Sequence, residues 1–299
     1  MEGIFPYIGT VLIMVGIYAL FALGLNVQWG FAGLINIGHV AFMAIGAYTM
    51  AILSLQGVPL ALAILIGLAL AGGVGALLTL PAIRLKADYL AILTVGFSEI
   101  VRYVALNEGW LTGGAQGLFG FDIPLGSVVP ADQYNLFLLG FVWGTVLIAF
   151  ILLQRLAKSP WGRVLKSIRE DEDVARVLGK NVFRYKMQAF LLGSVLASLA
   201  GMMLAFYHQY LGPGYYYPME TFYAWIIVIL GGSANNLGTL LGALLLWGFL
   251  SGTRFLSPLI PLSAYTFSAL RMVLVGLLLI ILMLFRPQGI LGKKKELTF

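Results

Sequence analysis

Apolar residues in this chain come in runs of about twenty, the length that crosses the hydrocarbon of a bilayer, separated by short polar connections. The candidate spans are Ile8–Leu25, Gly33–Leu53, Leu60–Ala82, Tyr89–Leu106, Asn135–Leu153, Met187–Tyr207, Thr221–Leu230, Leu237–Phe255 and Phe267–Phe285, the seventh being short. Two places resist a plain helix. Asn26 to His39, NVQWGFAGLINIGH, sets three glycines, two asparagines and a histidine at membrane depth, where lipid-facing irregular backbone is not tolerated. The pattern therefore predicts a broken helix or re-entrant turn buried in protein. The short seventh span ends similarly, in GGSANNLG at Gly231–Gly238. The triplet Asn36-Ile37-Gly38 recurs as Asn236-Leu237-Gly238, which is either the trace of an internal repeat with a pathway at the membrane midplane or a coincidence. Asn36 and Asn236 can satisfy interrupted backbone with their side-chain amides. Gly38 and Gly238 can permit close backbone approach or a positive φ.

One stretch is too polar for hydrocarbon: Ser159 to Lys186, SPWGRVLKSIREDEDVARVLGKNVFRYK. Its pattern predicts two short helices. Ser159 caps and Pro160 opens the first. The second has Glu170, Asp171, Glu172 and Asp173 at its positive end, an apolar stripe at Val174, Val177 and Leu178, and Gly179 where a C′ glycine belongs. So short a helix is not stable alone, so the loop either lies on the lipid surface or docks on a partner.

Composition turns these spans into a membrane assignment. The chain of 299 residues is 61% hydrophobic and 10% charged, against about 25% charged for a soluble domain. Its net charge of +6 is concentrated beside the apolar segments, which argues for positive-inside topology and against nucleic acid. Arg84 and Lys86, nine Lys/Arg between Arg155 and Lys186, and Arg286 with Lys293, Lys294 and Lys295 fall on one side; the connections Asn107–Tyr134 and His208–Glu220 contain none. The long loop and the C-terminus are thereby placed in the cytoplasm and the N-terminus outside. The first segment lacks a basic n-region and reads as a retained helix, not a signal peptide. With no cysteine, disulfides and thiolate chemistry are excluded.

Catalytic patterns are missing. The two histidines, His39 and His208, lie in different segments, and there is no H-E-x-x-H, G-x-S-x-G or P-loop, and no metal-ligand cluster. If ATP drives this protein, another chain hydrolyses it. The charges inside spans are Glu99, Arg102 and Arg271, each costly unless paired or wet. Glu99 and Arg102 stand at i,i+3 and can form a structural pair, or else handle protons or substrate. His39 is a hydrogen-bonded core histidine or a pathway residue.

Six stretches carry a family resemblance: GLNVQWGFAGLINIGHVAFMAIGAY (Gly24–Tyr48), ADYLAILTVGFSEIVR (Ala87–Arg102), LTGGAQG (Leu111–Gly117), SIREDEDVARVLGKN (Ser167–Asn181), ILGGSANNLGTLLGA (Ile229–Ala243) and FRPQGILG (Phe285–Gly292). In this order they resemble the LivM-type permease subunits of branched-chain amino acid ABC importers. The resemblance implies one transmembrane permease domain over residues 1–299, an all-α polytopic membrane protein of about eight to ten transmembrane helices with broken or re-entrant segments, in a prokaryotic inner membrane. It implies a LivH-type second permease subunit, two cytoplasmic ABC ATPase subunits and an external amino-acid-binding protein, with no cofactor bound by this chain. The loop over 155–186 becomes the coupling loop, related to the EAA loop, with Glu170, Glu172, Ala175, Val177, Leu178 and Gly179 as coupling residues. Asn36, Gly38, His39, Asn236 and Gly238 become candidates for the substrate pathway. The stretch Pro213–Trp225 is more aromatic than the family pattern, which leaves the substrate open among neutral amino acids. The competing readings are an ion-coupled secondary transporter or channel for small neutral solutes such as amides or urea and, more remotely, a membrane-embedded enzyme.

Overall fold

A chain this apolar satisfies its backbone by forming helices, since hydrocarbon offers no other hydrogen-bond partner. The computed structural model describes residues 4–82, 87–253, 264–285 and 288–292. Arg84, Lys86, Arg286, Lys293, Lys294 and Lys295 lie outside these residues, as does the side chain of Arg271. The helices are α1 (Ile4–Leu25), α2 (Val40–Leu55), α3 (Leu60–Ala82), α4 (Ala87–Asn107), α5 (Gly109–Thr112), α6 (Tyr134–Lys158), α7 (Pro160–Glu170), α8 (Glu172–Val177), α9 (Val182–His208), α10 (Pro218–Gly231), α11 (Asn236–Gly252) and α12 (Ala264–Phe285). Strands β1 (Leu118–Phe119) and β2 (Tyr210–Leu211) pair antiparallel, tying together the connections at the end opposite the α7–α8 loop.

Each of the nine apolar stretches contains a helix, but they do not all cross alike. Five helical stretches among the described residues are long and apolar enough to span: Pro6–Phe31, Leu60–Pro81, Tyr89–Asn107, Tyr134–Lys158 and Val182–His208. The seventh and eighth candidates are two limbs of one bend: the chain turns by 119° between Pro213–Gly231 and Asn236–Gly252. At 1.5 Å per residue α10 is about 21 Å long, short of a hydrocarbon core of about 30 Å. The second candidate starts later than expected. Gly33 has φ +70 and residues 32–39 are irregular, so α2 begins at Val40.

The first helix is the axis of the fold. Every residue from Val15 to Gln28 is buried, with α9, α11, α6 and α10 packed around it. Between apolar helices in lipid the hydrophobic effect gives little drive, so association depends on close approach. The α2–α9 contact shows it: a Cβ on Gly201 would stand 2.1 Å from the Met43 carbonyl, and one on Gly46 1.9 Å from Ser198 Oγ. On the other side, Gly238 and Gly242, four apart on α11, press on the carbonyls of Gly231 and Ile227 in α10. That spacing closes the two limbs of the bend.

Candidate functional site

The interior of this apolar fold holds a cluster of amides. After Leu25 the first helix does not end but widens into a π-helical turn, Asn26–Phe31. Such a turn holds one more residue than an α turn and places side chains that a regular helix would aim elsewhere. Here it directs Asn26 and Gln28, both fully buried, to the two interrupted segments. Gln28 Oε1 accepts from Asn36 Nδ2 at 2.8 Å, while Gln28 Nε2 donates to the Phe190 carbonyl at 3.0 Å. Asn26 Nδ2 donates to Asn236 Oδ1 at 3.0 Å, and Asn26 Oδ1 accepts the N–H of Ala234 at 2.9 Å.

The first break, residues 32–39, is held from all sides. Thr94 of α4 accepts the Ile37 N–H at 3.1 Å, Thr221 of α10 accepts the Val40 N–H at 3.0 Å, and Trp225 Nε1 donates to the Asn36 carbonyl at 3.0 Å. The ring of His39 stacks on Phe21, with Nε2 3.2 Å from the Phe21 carbonyl and Nδ1 3.4 Å from Asn36 Nδ2. A carbonyl only accepts, so the His39 proton sits on Nε2. Asn36 Oδ1 is buried without a hydrogen-bond partner among the described residues.

The second break, 232–235, is looser. Gly232 and Ala234 take positive φ of 104 and 58. Asn235, and not Asn236, caps α11, its Oδ1 accepting the Gly238 N–H at 3.1 Å while its Nδ2 donates to the Leu291 carbonyl at 2.8 Å. The backbone service expected of the Asn236 amide thus falls to its neighbour, because the Asn236 amide is engaged by Asn26 and by Gln154 Oε1 at 3.3 Å. Asn36 likewise uses its amide on side chains. Neither Gly38 nor Gly238 has a positive φ; both serve close approach, with a Cβ on Gly38 falling 1.8 Å from the Thr94 carbonyl. Beneath the second break lies a polar cavity of about 280 Å³, bordered among others by Gln154, Lys158, Lys166, Ser233, Asn235 and Asn236.

The loop folds largely as its pattern predicts. Pro160 is the first residue of α7, but the Ser159 hydroxyl turns back to donate to the Leu156 carbonyl at 2.7 Å and caps nothing. Asp171 caps α8 through the N–H groups of Asp173 and Val174. Gly179, at φ +75, ends it: its N–H meets the Arg176 carbonyl at 3.0 Å, and the Lys180 N–H meets that of Ala175 at 3.1 Å. Ala175 is buried against Ile168 and Val182, and Glu172 pairs with Arg176 and Lys186. Glu170 is exposed. Val177 and Leu178 stand in the open, 87% and 69% exposed.

Of the other predicted residues, Glu99 and Arg102 form the expected pair, Oε2 to Nη2 at 2.6 Å. The guanidinium also lies over the rings of Tyr103 and Tyr217, at 4.5 and 4.9 Å. Asn26, Gln28 and Gln154 went unnoticed in the sequence, although the first two open the stretch singled out as broken. Tyr18 and Glu220, hydrogen-bonded in the interior, were missed too.

A multi-pass all-α membrane protein, with interrupted helices around a polar interior, is what the fold and this site define. Over residues 7–283 the chain matches the family described as the permease component of branched-chain amino acid transport systems, and it belongs to that family. It is 33% identical over 298 residues to the high-affinity branched-chain amino acid transport system permease protein LivM of Escherichia coli (strain K12), covering 92% of this chain and 68% of that one. A probable LivM of Methanocaldococcus jannaschii is 26% identical, covering 97% and 95%. LivH of Salmonella typhimurium is 27% identical, covering 92% and 91%. No solved structure matches the chain.

Proposed function

We propose that this chain is the permease subunit of an ATP-driven importer for branched-chain or other hydrophobic neutral amino acids, sited in a prokaryotic inner membrane with its C-terminus in the cytoplasm. It works beside a LivH-type permease, receives substrate from an external binding protein, and is driven by two ATPase subunits that hydrolyse the ATP. The chain itself does no covalent chemistry and binds no cofactor. The observation that carries this reading is the tip of α8. A helix of six residues is capped, ended by a left-handed glycine and tied to Lys186, yet offers Val177 and Leu178 to water. An apolar tip on so fixed a helix suits docking against a partner.

The two breaks supply the pathway. Asn36, Gly38, His39, Asn236 and Gly238 are buried in the chain as it stands, so a pathway role requires that the breaks open during the cycle. Asn36 Oδ1, a buried acceptor with no partner among the described residues, suits the ammonium group of a zwitterion. The test of the driving partner is Leu178→Asp in the reconstituted importer. A charge buried in an ATPase groove costs several kcal/mol, so ATP hydrolysis should uncouple from uptake while the complex stays assembled. Wild-type uptake by an assembled Leu178→Asp complex would remove the docking assignment.

A further inference from the structure

The reading above leaves open how a movement at α8 reaches the interrupted helices. α8 rests on α7 through Ala175 against Ile168, and α7 in turn holds the π turn of α1. Arg169 Nη1 donates to the carbonyl of Gly30, near the C-terminal end of the π turn, where acceptors lack helical partners and a cation is favoured. The aliphatic stem of Arg169 lies along Gly33, where a Cβ would be 3.2 Å from Arg169 Cγ. Three residues earlier on the same helix, Lys166 Nζ stands 5.7 Å from the centre of the Phe31 ring. The loop helix thus grips residues 30, 31 and 33.

The other side of Gly30 has no slack. A Cβ there would lie 2.1 Å from Asn26 Oδ1 and 2.7 Å from the Ala234 nitrogen, so Gly30 sits on the hydrogen bond that joins α1 to the bend between α10 and α11. Ala234 is held at φ 58, a conformation an alanine adopts only under constraint. A shift of Gly30 toward Asn26 or the bend therefore presses on the Asn26–Ala234 contact. It either breaks the Asn26–Ala234 bond or carries the bend with it.

We propose that Arg169 is the positioning residue that couples the loop to the membrane interior, acting through Gly30 and Asn26 on the Ala234 bend. This rests on the docking of α8 to an ATPase, and the experiment separates the two. In the naturally cysteine-free chain, spin-label pairs at Lys180 with Leu147 and at Leu237 with Leu147 report the loop and the bend against α6, in the assembled importer with and without trapped ATP. In the otherwise wild-type complex both distances change. In Arg169→Met, which keeps the stem and loses the donor, the loop distance changes and the bend distance does not; uptake per ATP hydrolysed falls about 5- to 150-fold, the range of a coupling between two sites. Arg169→Lys restores part of both. If Arg169→Met does not assemble, Arg169→Gln is read by the same two distances. A bend that still follows the loop in these variants overturns the relay and leaves docking intact. A loop that ignores trapped ATP in the wild-type background overturns docking and the relay together.

Discussion

The two Asn-x-Gly breaks carry the same triplet and solve the same problem in opposite ways. At the first, the π turn, α4 and α10 send donors or acceptors into the backbone and amides of residues 32–40, and Asn36, Gly38 and His39 are buried. At the second, the backbone is served by Asn26, Asn235 and the segment at 290–291, and Ser233 to Asn235 border a polar cavity. Closely similar triplets thus go with one joint sealed by protein and one that borders a polar cavity. The triplet marks where a helix restarts after a break; its neighbours decide whether the break meets protein or a polar cavity.

The comparison can be broken most severely at Gly38. Its missing Cβ is replaced by a backbone carbonyl of α4 that no side-chain motion can move, so Gly38→Ala should exceed the roughly 1–3 kcal/mol of ordinary overpacking. The expected outcome is loss of folded permease, checked by the yield of monodisperse protein in detergent. Next come the two amides of the π turn. Each group left unpaired by truncation costs about 1–3 kcal/mol when no water can replace the partner. Gln28→Ala strips the sealed joint, whereas Asn26→Ala acts beside the cavity, where water can substitute. The melting temperature should fall more for Gln28→Ala; the reverse order would mean the joints are equally dry.

Chemical access sharpens the contrast without disturbing the fold. Ser233→Cys should react with a membrane-impermeant thiol reagent in the resting complex, and Asn36→Cys should be inert there. If the first break lines the pathway, Asn36→Cys and Asn236→Cys gain reactivity when ATP hydrolysis is trapped. Inertness of both in every trapped state, in complexes that still transport, returns these residues to helix packing. The smallest effect is expected at Glu99→Gln, away from both joints. Glu99 is partly exposed and Arg102 keeps its two aromatic contacts, so the loss should be about 1 kcal/mol, with transport per folded molecule unchanged.

What could be read from the sequence was whatever depends on near neighbours. The apolar runs, the interruption at Asn26–His39, the pairing of Glu99 with Arg102 and the termination of α8 at Gly179 all depend on residues within a turn or two. The rest is settled by residues far apart in the chain. Asn26 meets Asn236 and Ala234 more than two hundred positions on, and no local pattern distinguishes it from an asparagine that merely ends a helix. Ser159 fits every local rule for a cap, yet its hydroxyl found a carbonyl in the preceding helix. The bend was legible as a short span followed by a second span but not as a hairpin, because its closure lies in the Gly231–Gly238 contact.

The π turn adds a constraint of another kind, one of counting. Each residue of an α-helix turns the chain by about 100°. The surplus residue between Asn26 and Phe31 therefore sets the rotational phase of everything that follows it relative to everything before. Removing one residue anywhere in this stretch, even one without polar contacts such as the buried Val27, would leave nearly every polar contact residue in the chain while swinging Gly30 away from Arg169 or Asn26 away from the bend. In this part of the molecule the number of residues is as much a determinant as their identity.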